Sequence, residues 1–124
     1  MTPLYSGNMH DRELFYSSSN GAQDGTLILK LDGPLTLSNM FTFQNEFRAM
    51  TPPCLILDLS GVPYMDSAGL GVLMNYYVSA ESGQRKFLLA GVNERVLALL
   101  EMTKVDKVLK IYPSLEAAEA AALA

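Results

Sequence analysis

The sequence contains one cysteine, Cys54, and one histidine, His10. A lone thiol excludes an internal disulfide and any multi-cysteine metal site. His10 lies in a polar N-terminal stretch, so histidine-paired zinc sites and most histidine-based catalytic triads are excluded too. Charge is sparse, at 18% of 124 residues, and tilts acidic: 13 Asp and Glu against 9 Lys and Arg, for a net charge of -4. A surface of that sign repels phosphate backbones and anionic lipid, which argues against nucleic acid or a membrane surface as partner. Long apolar runs are missing. The uncharged stretch 67–80 has 14 residues with serine, glycine, asparagine and two tyrosines among them, short of the roughly 20 apolar residues that cross a bilayer. Residues 1–11 have neither the basic start nor the apolar core of a secretory signal. What is abundant is core material, 49% apolar residues in a chain of one domain's length. The expectation is a compact cytoplasmic domain, poorly equipped for catalysis, that calls for no metal and no cofactor.

Apolar spacing sets out the elements. Residues 1–13 are polar and are expected to form a flexible lead-in to a single domain over 14–124. Residues 14–18 and 26–31 predict a hairpin across Asn20-Gly21 and Asp24-Gly25. Met40, Phe43, Phe47 and Met50 fall on one helical face, with Ser38 or Asn39 as cap and Thr51-Pro52-Pro53 as the stop. Residues 54–59 are nearly continuous apolar, which suits a strand covered on both faces. Its one charge, Asp58, stands out. A second helix starts near Ser67 with Leu70, Leu73, Met74 and Tyr77 as its stripe, and Gly83 is expected just after its end. Residues 86–90 predict a buried strand. Asn93 caps a third helix with Val96, Leu99 and Leu100 inward, residues 108–112 form a short last strand, and Pro113-Ser114 opens an alanine-rich final helix. This alternation predicts an α/β fold with helices against a mixed sheet.

The chemistry concentrates between the third strand and the second helix, where the loops after strand carboxyl ends of such sheets carry functional groups. This loop holds Asp58, Asp66 and Ser67. Ser67 reads either as the helix N-cap or as a phosphoacceptor. A nucleophilic role is disfavoured because no histidine is at hand to take its proton. Gly69-Leu70-Gly71 offers a G-x-G, but no G-K-[ST] follows, so neither a phosphate loop nor a dinucleotide fingerprint is present. Asp58 and Asp66 are a weak candidate for magnesium or phosphoaspartate chemistry, because the acidic pair after the first strand and the lysine after the last strand of a receiver domain are not matched. Lys104, Lys107 and Lys110 read as a solvated face, and Cys54, among leucines and isoleucine, as an inert core thiol. Tyr64, Met65 and Tyr76 are open between interface and surface, so oligomeric state is not predicted.

The block 57–73, L-D-L-S-G-V-P-Y-M-D-S-A-G-L-G-V-L, resembles the signature of the anti-sigma factor antagonists, which belong to the STAS domains. The likeness extends over about 14–123, with the Gly33 turn, Gly91-Val92-Asn93 and the C-terminal Ser114-Leu115-Glu116 in supporting positions. It implies a small single-domain fold with a mixed sheet, about four α-helices and those helices mainly on one face. It also implies that Ser67 is phosphorylated by an anti-sigma factor that is itself a serine kinase, and that a PP2C-type phosphatase resets it. The partner-binding residues it implies are Asp58, Ser60, Gly61, Val62, Pro63, Tyr64, Met65, Asp66, Ala68, Gly69 and Gly71, with Thr36 from the preceding loop. Two departures stand out. Gly33-Pro34-Leu35-Thr36 has Thr36 where many members carry an aspartate, and Ala68 stands where a second serine is frequent. The second implied role, favoured by Thr36, is a stand-alone STAS subunit of a transport, lipid-trafficking or signalling scaffold complex.

Overall fold

A computed structural model describes residues 13–123. The expected lead-in over 1–13, Glu13 apart, lies outside the described residues, and so does His10. A five-stranded sheet runs in sequence order, from β1 (Phe15–Asn20) through β2 (Thr26–Asp32), β3 (Cys54–Gly61) and β4 (Lys86–Ala90) to β5 (Lys110–Tyr112). β1 and β2 form the expected antiparallel hairpin, and β2 to β5 are parallel, so the sheet is mixed. Parallel neighbours need crossover connections. Helices α1 (Leu37–Ala49), α2 (Ser67–Ser82) and α3 (Glu94–Met102) supply them, and α4 (Leu115–Ala122) follows β5.

Strand alternation sorts the side chains into two cores. Leu29, Leu31, Leu55, Leu57, Leu59, Phe87 and Leu89 pack with Phe43 and Phe47 of α1, Leu70, Leu73 and Tyr76 of α2, and Val96 and Leu100 of α3. The opposite parity, Ile28, Cys54, Ile56, Leu88 and Ala90, packs with Ala118 and Ala122 of α4. Three helices therefore share one face and the alanine-rich helix covers the other. β3 is covered on both sides, which is why its sequence reads as continuous apolar. The alanines let α4 lie close, and Glu119 Oε1 accepts the Ala22 N–H at 2.9 Å, tying α4 to the hairpin turn.

Rings run through the larger core. Phe47 stacks on Phe43 at 4.9 Å and on Tyr76 at 4.4 Å, and Tyr76 meets Phe87 at 4.8 Å between centroids. Tyr76, left open as interface or surface, is a core residue with 2% exposure. Its hydroxyl donates to the Met50 carbonyl at 2.8 Å, satisfying its polar end. Cys54 is buried, and that burial pushes its thiol pKa up, in keeping with an inert core role.

The differences from the expected elements are local. α1 starts at Leu37, so Ser38 and Asn39 lie inside it and Thr36 is the N-cap residue. Asn39 instead turns its amide back to the Pro34 carbonyl at 2.8 Å. After α2, Gly83 keeps a negative φ and Gln84 takes the left-handed one, φ 58. The last strand is shorter than 108–112, because Val105–Lys107 winds into a 3-10 turn and the Leu109 N–H bonds back to the Val105 carbonyl at 2.8 Å. Lys104, Lys107 and Lys110 are exposed.

Candidate functional site

Two loops leave the carboxyl ends of β2 and β3 and continue side by side beyond the sheet. The Gly33 N–H donates to the Gly61 carbonyl at 2.9 Å, the Leu35 N–H to the Tyr64 carbonyl at 3.1 Å, and the Asp66 N–H to the Leu35 carbonyl at 3.2 Å. Leu35 and Met65 form a parallel bridge and are both buried. The first turn of α2 then packs on this pair so closely that a Cβ at Gly69 would stand 2.2 Å from the Leu35 carbonyl oxygen. Only glycine fits there. At Gly33, φ is +124 and a Cβ would meet the Glu13 carbonyl oxygen at 2.3 Å, a second place where the backbone demands glycine. The third helix holds the loop from outside. Asn93 caps α3 by accepting the Val96 N–H at 2.8 Å, and its Nδ2 donates to the carbonyls of Pro63 at 3.0 Å and Val62 at 3.3 Å. The Arg95 guanidinium lies over the Tyr64 ring, 4.8 Å from its centroid.

Asp66 joins the two helices that start here. Its Oδ1 accepts the Gly69 N–H of α2 at 3.0 Å and its Oδ2 accepts the Leu37 N–H of α1 at 3.0 Å. The first turns of both helices have backbone N–H groups without intrahelical partners, and the positive ends of two helix dipoles converge on one carboxylate. Asp66 is therefore the N-cap of α2, and Ser67 is the first residue of the helix rather than its cap. Among the described residues the Ser67 hydroxyl makes no hydrogen bond, and the residue is exposed. Thr36 is only 6% exposed, with its Oγ1 3.0 Å from the Ser38 hydroxyl.

The residues implied as partner-binding divide by exposure. Ser60 and Gly71 are exposed with Ser67, while Gly61, Pro63, Tyr64, Asp66 and Ala68 are half-buried. Val62, Met65, Gly69, Asp58 and Thr36 are buried and act on the surface through the backbone they hold. Asp58 has the strand parity of Cys54 and Ile56, and its Oδ1 accepts the Ser60 N–H at 3.0 Å. Both Asp66 oxygens are occupied by backbone amides. The two carboxylates therefore serve separate structural bonds. Gly71 has nothing within 4 Å of where its Cβ would be, so no internal packing requires glycine there.

Sequence reasoning missed the roles of Asn93 and Arg95 as a clamp on the loop, and the exposure of two apolar residues on α1. Leu37 is 55% and Phe41 65% exposed. They stand four apart on one helix face, and the Leu37 amide is the one held by Asp66. Phe41 was detectable in the sequence, because it lies off the stripe of Met40, Phe43 and Phe47.

The STAS domain family profile matches residues 19–118, and the chain belongs to the STAS domain family. An anti-sigma F factor antagonist of Paenibacillus polymyxa is 32% identical over 92 residues, 71% of this chain and 79% of that protein. Among solved structures, the STAS domain of a SulP transporter from Vibrio cholerae is similar with a TM-score of 0.67 and 31% identity, over 82% of this chain and 83% of that one. An anti-sigma factor antagonist from Mycobacterium paratuberculosis shares the fold with a TM-score of 0.78 at 22% identity, over 87% of this chain and 92% of that one. Among the described residues, no helix is long and apolar enough to cross a membrane.

The double cap sets an expectation for stability. Asp66→Ala should destabilise the fold by about 2 kcal/mol in urea unfolding, roughly twice the cost of losing the single cap in Ser114→Ala. A loss no larger than that of one cap would mean that the bond to Leu37 is idle.

Proposed function

We propose that this protein is an anti-sigma factor antagonist, a cytoplasmic binding switch that engages an anti-sigma factor with serine kinase activity while Ser67 is unmodified and releases it when Ser67 is phosphorylated. The observation that carries the proposal is the exposed Ser67 hydroxyl at the first position of α2, relieved of capping by Asp66. A serine that caps its helix cannot be modified without disturbing the fold, whereas this one can. The protein would act by binding and not by catalysis, and a PP2C-type phosphatase would reset it. In transcription control, the unmodified form would free a sigma factor by occupying its inhibitor.

The physics suits a switch of affinity more than of structure. Phosphate adds about −1.5 to −2 charge, which a helix N-terminus accepts well. The same charge adjoins the Asp66 carboxylate. At roughly 6 Å and an effective dielectric of about 20 to 80, each like-charge pair costs on the order of 1–3 kcal/mol, and a partner docked on the loop would have to desolvate the phosphate as well. The contact surface would comprise Ser60, Gly61, Pro63, Tyr64, Asp66, Ser67, Ala68 and Gly71, with Leu37 and Phe41 as its apolar part. Asp58, Val62, Met65, Gly69 and Thr36 would support it from beneath. Thr36 fits its surroundings, because a carboxylate there would compete with Asp66 for the first amides of α1.

A second reading, a stand-alone STAS subunit of a transport, lipid-trafficking or scaffold complex, is favoured by Thr36 and by the 31% identity to a transporter's STAS domain. Capture of native partners separates the two. Wild type and Ser67→Ala should retain a kinase-like protein and Ser67→Asp should lose it by about tenfold or more, all three with the same unfolding midpoint. Equal capture of the same proteins by all three, or capture of membrane transport subunits, would overturn the switch.

Gly71 gives a separate expectation. Gly71→Ala should raise stability by about 1 kcal/mol through helix propensity, yet weaken partner capture, because the added methyl stands on the docking face. Unchanged capture would place Gly71 outside the contact.

A further inference from the structure

At the far end of α2 from Ser67 lies a cavity of about 370 Å³, within the size range of small-molecule sites. It lies along the edge of β4 before β5 begins, with the last turns of α2 on one face of the sheet and α4 on the other. Its walls carry Tyr77, Phe87 and Tyr112, with Leu88 and Ala121 between them. Three of the chain's nine basic residues, Arg85, Lys86 and Lys110, line the same space against one acid, Glu81. In a protein of net charge -4, that local excess of cations runs against the whole.

The three cations are not equivalent. Arg85 is spent on structure: it donates to Ser79 Oγ at 3.0 Å and to the Tyr76 hydroxyl at 3.3 Å, and its guanidinium lies 5.5 Å from the Tyr76 ring centroid. Lys86 Nζ donates to the Ala122 carbonyl at 3.2 Å. Lys110 is exposed and makes no side-chain hydrogen bond or ion pair among the described residues. One ammonium is thus uncommitted, beside aromatic walls. β5 fixes its backbone, since Lys110 pairs with Leu88 in the sheet.

We propose that this cavity binds a small aromatic carboxylate, its ring against Tyr112 and its carboxylate on Lys110, which share one face of β5. A flat apolar body matches the ring-lined walls. A single negative charge matches one free ammonium better than a phosphate ester would, because a dianion would need a second uncommitted cation. The α2 residues that line the site, Tyr77 and Glu81, stand about 15 to 21 Å along the helix from Ser67 at the usual rise, so an occupied cavity leaves the Ser67 loop open to a protein partner.

The test is a titration of the full chain with naphthylacetate, followed through backbone amide shifts by two-dimensional NMR. The expected result is saturable shifts at Lys86 to Leu88 and Lys110 to Tyr112. Naphthylacetamide, which keeps the ring without the charge, and acetate, which keeps the charge without the ring, should each bind at least about tenfold more weakly. Lys110→Gln, an exposed change that preserves the fold, should lower naphthylacetate affinity about tenfold, as expected for one charge-assisted bond. Equal binding of naphthylacetate and its amide, acetate binding as well as naphthylacetate, shifts centred elsewhere, or an unchanged affinity in Lys110→Gln would each overturn the proposal.

Discussion

The carboxylate of Asp66 accepts one backbone N–H from each of two helices, and the geometry of the whole loop end follows from that sharing. α1 and α2 begin in different loops, after different strands. A common anionic cap fixes both starts against each other at the point where their dipoles converge. The constraint propagates downward. With Asp66 held, its N–H meets the Leu35 carbonyl, Leu35 meets Tyr64, and Gly69 must lie against the Leu35 backbone with no room for a side chain. Ser67 is left at the surface with no bond to make.

This arrangement separates the roles that the loop sequence mixes together. Capping belongs to Asp66, packing to Val62, Met65 and Leu70, backbone turning to Asp58 through Ser60, and external bracing to Asn93 and Arg95. The exposed hydroxyl is therefore supported on all sides by groups that do not need it. A rigid frame around an uncommitted serine is what the proposed switch requires, since a charge added there would not have to refold the loop. The bond to Leu37 also ties the two exposed apolar residues of α1 to the same frame, so an apolar pair and an exposed hydroxyl keep a fixed relation.

The sheet and its helices were legible because the apolar spacing is strong. The run of β3 reports burial on two faces, the stripes of α1 and α2 report one buried face each, and Asn93 and Ser114 announce the starts of α3 and α4 by the usual cap chemistry. Belonging to the STAS domain family was legible in the block 57–73. What was not legible was which polar group does which job. Aspartate and serine are both good N-caps, and they stand next to each other at 66 and 67, so a linear sequence cannot choose between them. The cap of α1 was misread for a related reason: the oxygen that binds Leu37 comes from a residue 29 positions away. Phe41 was overlooked because an aromatic in a helix is ordinarily core. The shorter last strand reflects a 3-10 turn that apolar pattern does not register.

The most direct test is amide hydrogen exchange at Leu37 and Gly69 in wild type and in Asp66→Ala. If one carboxylate caps both helices, the two amides should lose protection together in the variant, while the amide of Val96, capped by Asn93, keeps its own. Loss of protection at Gly69 alone, with Leu37 unchanged, would contradict the shared cap and remove the frame on which the display of Ser67 depends.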